Sequence, residues 1–272
     1  MTDTGRAYTE AVNRPAALDL FCCAGGATRG LQRAGFRVTG VDNRPRPTYC
    51  GDAFVQADAL TYLREIIRTG EIHRFALVGA SPPCQERCTL RRGTNLARGW
   101  GRDHVQLVPP TRALLLAAGV PFYIEQPSNH AGLIRTDLTL CTDMFETGPP
   151  PWVQRHRDFE IHGFTVTRPA HPTGPVRGHR GYVRGYRGKS GDRPGFFRDG
   201  PYVAPYGNGG GKATVPEMQH ALGIDWTDVR EELTEAIPPA YTEWIAEAFL
   251  DAARGGVVSR LSTDPSVVQR AA

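Results

Sequence analysis

No run of this sequence approaches the roughly 20 consecutive apolar residues that a membrane-spanning helix requires. The first 15 residues are polar, carry both charge signs and lack the apolar core of a secretory leader. These absences predict a cytoplasmic protein with no membrane partner. Cysteine is scarce, six in 272 residues, and Cys22 and Cys23 are adjacent, so no disulfide framework is expected. Cys84 and Cys88 stand four apart near His104, but no second Cys/His pair has zinc-site spacing, and no metal is expected. No internal repeat is present. With 40% hydrophobic residues the chain can still bury an ordinary core.

Any strong excess of charge is also missing, since the net value is +4, but the charge is unevenly placed. Between residues 161 and 213, nine basic side chains (Arg168, Arg177, Arg180, Arg184, Arg187, Lys189, Arg193, Arg198 and Lys212) stand against Asp192 and Asp199 alone. Thirteen glycines and seven aromatic residues interleave with them from 163 to 212. Arginine for phosphate, rings for stacking and glycine for close approach make a nucleic-acid-binding composition. A Gly/Arg linker is the alternative.

The informative part of the chain centres on Ala80-Ser81-Pro82-Pro83-Cys84-Gln85. The uncharged run Phe75-Ala76-Leu77-Val78-Gly79 before it reads as a buried parallel strand. Two prolines then deny the backbone a helix and hold Cys84 at the strand's carboxyl end, where open α/β sheets bind ligands. A thiol there is a candidate nucleophile; a small buried cysteine is the alternative. Upstream, residues 16–21 read as a strand entering Cys22-Cys23-Ala24-Gly25-Gly26 and a helix over 27–34, a cradle in which small residues admit a ligand near a helix N-terminus. Residues 36–42 form a second strand ending in Asp42, where a ribose-binding carboxylate belongs, although a turn-forming Asp is also compatible. Residues 54–60 suggest a third strand ending near Asp58, followed by a helix over 61–68. Residues 120–125 suggest a strand that delivers Glu125 to the same edge. Residues 153–161 alternate like a strand that puts Arg155 and Arg157 on one face, suited to a phosphate or carbonyl oxygen. Helical patterning resumes over 221–224 and 229–236, and Pro238-Pro239 starts a last amphipathic helix over 240–253.

In this order the motifs resemble the cytosine-5 DNA methyltransferase family, and the overall look is of its short, phage-type members. Asp19-Leu20-Phe21 through Gly26 is similar to its first cofactor motif, and Val41-Asp42 and Asp58-Ala59-Leu60 to the next two. Pro83-Cys84-Gln85 is similar to the nucleophile motif, Glu125 to the essential acid, and Arg155-His156-Arg157 to the paired arginines. The resemblance implies a Rossmann-like α/β fold dependent on S-adenosylmethionine, with Cys84, Glu125, Arg155 and Arg157 catalytic. It implies a cofactor held by Phe21, Ala24, Gly25, Gly26, Asp42, Asn43, Asp58, Ala59 and Pro83. DNA would be held by Gln85, Arg177, Arg180, Arg184, Arg187 and Lys189. The catalytic domain would comprise 16–160 and 214–254, with a small recognition insert at 161–213 and tails at 1–15 and 255–272. The expected substrate is double-stranded DNA with its cytosine flipped out, acted on by a monomer in a bacterial or phage-infected cell. Transfer to tRNA, transfer of a modified methyl group, and silent nucleic-acid binding stay open. Cys23 stands where the family has glycine, Val153 where it has glutamine, Gln126-Pro127 where Asn-Val is usual, and the last helix lacks the family's Asn-Ser pair.

Overall fold

Short, mostly apolar stretches become the strands of one sheet. In the computed structural model, which describes residues 14–83, 106–128, 130, 132–145, 148–171, 202–203, 205 and 213–256, these are β1 (Ala16–Leu20), β2 (Arg37–Asp42), β3 (Ala53–Gln56), β4 (Leu77–Ala80), β5 (Phe122–Pro127), β6 (Leu138–Leu140) and β7 (Arg157–His162). Their spatial order is β3-β2-β1-β4-β5-β7-β6. The first five run parallel, and β7 lies antiparallel between β5 and β6. The order reverses between β1 and β4, the topological switch point at which open α/β sheets bind ligands.

The described residues form six helices, α1 (Gly26–Arg33), α2 (Ala59–Arg68), α3 (Val108–Ala118), α4 (Val215–Leu222), α5 (Arg230–Glu235) and α6 (Pro239–Arg254); α1, α2, α3 and α6 cover the sheet, and α4 and α5 pack in a separate cluster. Alternate strand residues feed opposite faces. Leu18, Leu20, Val78, Phe122 and Ile124 pack with Leu63 and Ile66 of α2 and Leu114 and Leu115 of α3. Ala17, Leu77, Tyr123 and Phe159 pack on the other face with Leu31 of α1 and Tyr241, Ile245 and Phe249 of α6. The sheet is thus the middle of three layers. None of the described helices is long and apolar enough to cross a membrane.

Local chemistry corrects several boundaries. Residues 57–60 do not continue β3: the Asp58 carboxylate accepts the Thr61 amide at 2.8 Å and caps α2, which begins two residues earlier than the periodicity predicts. β5 continues past Glu125 because Gln126 and Pro127 pair with Asp158 and Arg157 of β7. β7 in turn starts only at Arg157, so Val153 to His156 do not form the predicted strand. α4 begins at Val215, six residues before the predicted start, because Thr214 and Glu217 form a capping box.

The tightest packing joins α1 to α6. A Cβ on Gly30 would lie 2.1 Å from the Pro239 carbonyl oxygen and 2.1 Å from the Thr242 hydroxyl. That hydroxyl donates to the Ala27 carbonyl at 2.7 Å. Gly30→Ala must push two helices apart, and chemical denaturation should find it less stable than wild type by about 1–3 kcal/mol despite alanine's higher helix propensity.

Candidate active site

Five parallel strands leave their carboxyl ends on one edge, and the polar residues singled out by sequence collect there. Phe21 to Gly26 leave β1, Asp42 and Asn43 close β2, Asp58 follows β3, Ser81-Pro82-Pro83 follows β4, and Glu125 lies near the end of β5. Cys84, Gln85, Arg177, Arg180, Arg184, Arg187 and Lys189 lie outside the described residues.

The turn after β1 is tightly specified. Gly25 is left-handed at φ 90°, but so are Phe21 at 64° and Cys23 at 47°, where L side chains are disfavoured. Asp42 holds this turn from β2: its Oδ2 accepts the Cys23 amide at 3.1 Å and its Oδ1 the Arg44 amide at 2.9 Å. Arg46 adds an ion pair to Asp42 at 3.2 Å. From the far end of the chain, the Trp226 indole donates to the Ala24 carbonyl at 2.8 Å, and Arg29 stacks on the Trp226 ring. Sequence reasoning missed Trp226, whose partner Ala24 lies 202 residues away, and Arg46, which stands only four residues from Asp42.

Glu125 is 5% exposed. Burial pushes its carboxyl up from the ordinary value, and Arg157 and then Arg155 oppose that push. Arg157 Nε stands 2.6 Å from Glu125 Oε1, an ionic contact without the alignment of a hydrogen bond. Arg155 does not share a strand face with Arg157. It is buried and donates to the Thr234 carbonyl of the α5 segment at 2.6 Å. The Gln126 amide donates to the Pro82 carbonyl at 2.6 Å and so ties the acid's strand to the Pro-Pro turn. Burial raises the thiols of Cys22, Cys23 (to about 12), Cys50 (to about 11) and Cys141, so none of the described cysteines is a ready thiolate nucleophile at neutral pH.

No family model matches the chain, and no curated protein matches it in sequence. Solved structures match it in fold. A protein assigned as a DNA modification methyltransferase, encoded within an Escherichia coli prophage, aligns over 88% of this chain and 99% of its own at 13% identity, with a TM-score of 0.50. The fold is a Rossmann-like methyltransferase fold. The S. pombe Dnmt2 methyltransferase aligns over 89% and 99% at 12% identity with a TM-score of 0.48. The Entamoeba histolytica methyltransferase EhMeth aligns over 89% and 99% at 11%, with a TM-score of 0.47.

Methyltransferases of this fold use S-adenosylmethionine, and several residues here fit it. The N-terminus of α1 carries no side-chain cap, so its amides suit a carboxylate. Asp42 Oδ2 takes one described donor and can accept a second, such as a sugar hydroxyl. Asp58 is exposed, and its Oδ1 is engaged in capping α2, which leaves Oδ2 for a ligand. The small size of Gly25 and Gly26 is demanded by the chain itself. A Cβ on Gly25 would lie 2.8 Å from Cys50 Sγ, and one on Gly26 would lie 2.3 Å from the Ile237 carbonyl oxygen. Ala24 and Ala59 are buried, Phe21 is half-buried against the core, and Asn43 is exposed.

Beneath the turn, Asp19 is 1% exposed and accepts the Thr28 hydroxyl at 2.6 Å. Burial raises its carboxyl from 3.8 to about 7, against the opposing Thr28 hydrogen bonds. Folded Asp19 therefore keeps its proton where unfolded Asp19 has lost it. Its contribution to stability is complete below pH 3.8 and is lost as pH rises through about 7. Denaturation at pH 4 and pH 8 should show wild type losing more stability than Asp19→Asn between the two. The difference is at most about 4 kcal/mol, since each tenfold change in proton affinity is worth about 1.4 kcal/mol.

Proposed function

We propose that this protein transfers a methyl group from S-adenosylmethionine to carbon 5 of cytosine in double-stranded DNA. The observation that carries this reading is Glu125: a buried carboxyl with a raised pKa on the binding edge, in ionic contact with Arg157, and joined through Gln126 to the Pro-Pro turn that precedes Cys84 in sequence. Carbon 5 of cytosine is too weak a nucleophile to be alkylated unaided. In the proposed reaction the Cys84 thiolate forms a bond to carbon 6, and the ring electrons move towards carbon 5. Glu125 holds a proton at ring nitrogen 3, which its raised pKa favours, and so stabilises the enamine. S-adenosylmethionine supplies a methyl group on a sulfonium that departs as a neutral thioether. Loss of the carbon-5 proton then expels the Cys84 thiolate and restores the aromatic ring.

Arg157 holds Glu125 in place, and its guanidinium would bind a base carbonyl or phosphate. Arg155, fastened to the α5 segment, is a positioning residue that adds positive charge beside the acid. The duplex hides both faces of a stacked cytosine, so the base must be turned out to reach this edge. The arginine- and glycine-rich stretch from 161 to 213 would supply phosphate contacts around it.

Nucleoside mass spectrometry of DNA from cells expressing the protein tests the reading, with Cys84→Ala alongside. A 5-methyldeoxycytidine peak that vanishes in the variant is expected. A heavier modified deoxycytidine would keep the covalent mechanism and replace the donor, modified tRNA would replace the substrate, and no modification of either would leave silent nucleic-acid binding. With purified protein, Glu125→Gln should lower kcat by about 10²–10⁴-fold and change DNA affinity little. Unchanged turnover would remove Glu125 from the chemistry.

A further inference from the structure

Cys141, His156 and His171 are separated by fifteen residues at each step, so no local motif links them. The fold brings them together. Cys141 follows β6, His156 sits between the two arginines just before β7, and His171 ends the described stretch that leaves β7. One ligand atom of each lies within 4.8 Å of the other two. The two imidazoles stack with centroids 5.9 Å apart and planes 18° from parallel.

We propose that these three residues form a zinc site. A thiolate and two neutral imidazoles are a donor set for Zn²⁺, with the fourth tetrahedral position left to water or another oxygen. Ligand atoms around tetrahedral zinc lie about 3.5 Å apart, so closing the cluster takes an adjustment of about 1 Å. His156 is exposed and His171 half-buried. Burial raises the Cys141 thiol and the backbone amides of Asp143 and Arg155 oppose that push, so Zn²⁺ would bind with loss of the thiol proton. The Asp143 carboxylate, oriented by the Gln154 amide at 2.9 Å and the Tyr202 hydroxyl at 2.8 Å, adds negative charge beside both Cys141 and His156. Arg168 opposes it. The metal would fasten the chain entering the basic stretch to the segment that carries Arg155 and Arg157, and it is independent of which reaction occurs at the neighbouring edge.

Cobalt(II) is the probe, because a thiolate–cobalt bond gives a near-ultraviolet charge-transfer band. Purified full-length protein should bind one Co²⁺ with that band, and Zn²⁺ should displace it. Removing an outer-shell partner alone costs about 10–100-fold in metal affinity, so His171→Ala and His156→Gln should each weaken binding by at least that much. Both variants keep the buried Cys141 and should fold, as far-ultraviolet circular dichroism would check. Cys84→Ala should bind Co²⁺ like wild type. The proposal is overturned if wild type gives no band, if the band survives at full affinity in both histidine variants, or if Cys84→Ala abolishes it.

Discussion

Five adjacent parallel strands cannot end anywhere but on a common edge, and the placement of the polar groups in this protein follows from that constraint. Each strand is short and largely apolar, so most of its carboxyls come at or near its end. Asp42, Asp58 and Glu125 arrive on one edge by topology, although no two of them are close in sequence. The antiparallel β7 then supplies what parallel strands cannot. It runs back against β5 and sets Arg157 opposite Pro127, within ionic reach of Glu125.

The acids of the molecule fall into two groups according to what surrounds them. Glu160 is buried, yet the His162 and Arg112 side chains and the Arg135 amide hold its carboxyl down at about 2, and it serves as an ionic strut. Glu125 and Asp19 are buried with less compensation, so both are raised. A raised carboxyl lowers the stability of the folded state at neutral pH, and such groups concentrate where chemistry needs a proton. Asp19 lies under the β1 turn and Glu125 at the open edge.

Much of this was legible locally. Apolar runs closed by glycine or an acid marked β1, β2, β4 and β5, and Pro238-Pro239 marked the start of α6. Errors arose where one residue had two possible jobs. Asp58 resembled the end of a strand because its neighbours are apolar, but a carboxylate three residues before Thr61 caps a helix better than it ends a ladder. Arg155 and Arg157 looked like neighbours on one strand face, but the first serves α5, 79 residues on in sequence, and the second serves β5. Nothing local could reveal Trp226 on the Ala24 carbonyl or the meeting of Cys141 with two histidines. Cys23 is different, because the sequence showed a side chain where a glycine is expected, and the backbone there is indeed left-handed.

The C-terminal segment explains how a strained turn can persist. Phe21 and Cys23 each hold a left-handed conformation that costs about 1–2 kcal/mol, and an isolated turn would relax. Here it cannot. Asp42 grips the Cys23 amide, Trp226 grips the Ala24 carbonyl, the Ile237 backbone fills the space over Gly26, and Thr242 bonds Ala27. Three of these four restraints come from residues beyond 225. The β1 turn is therefore completed only when the residues beyond 225 dock, so the shape of the N-terminal motif is a property of the whole chain. Substitutions in α6 far from the edge should act on that turn through Gly30, where the two helices touch backbone to backbone.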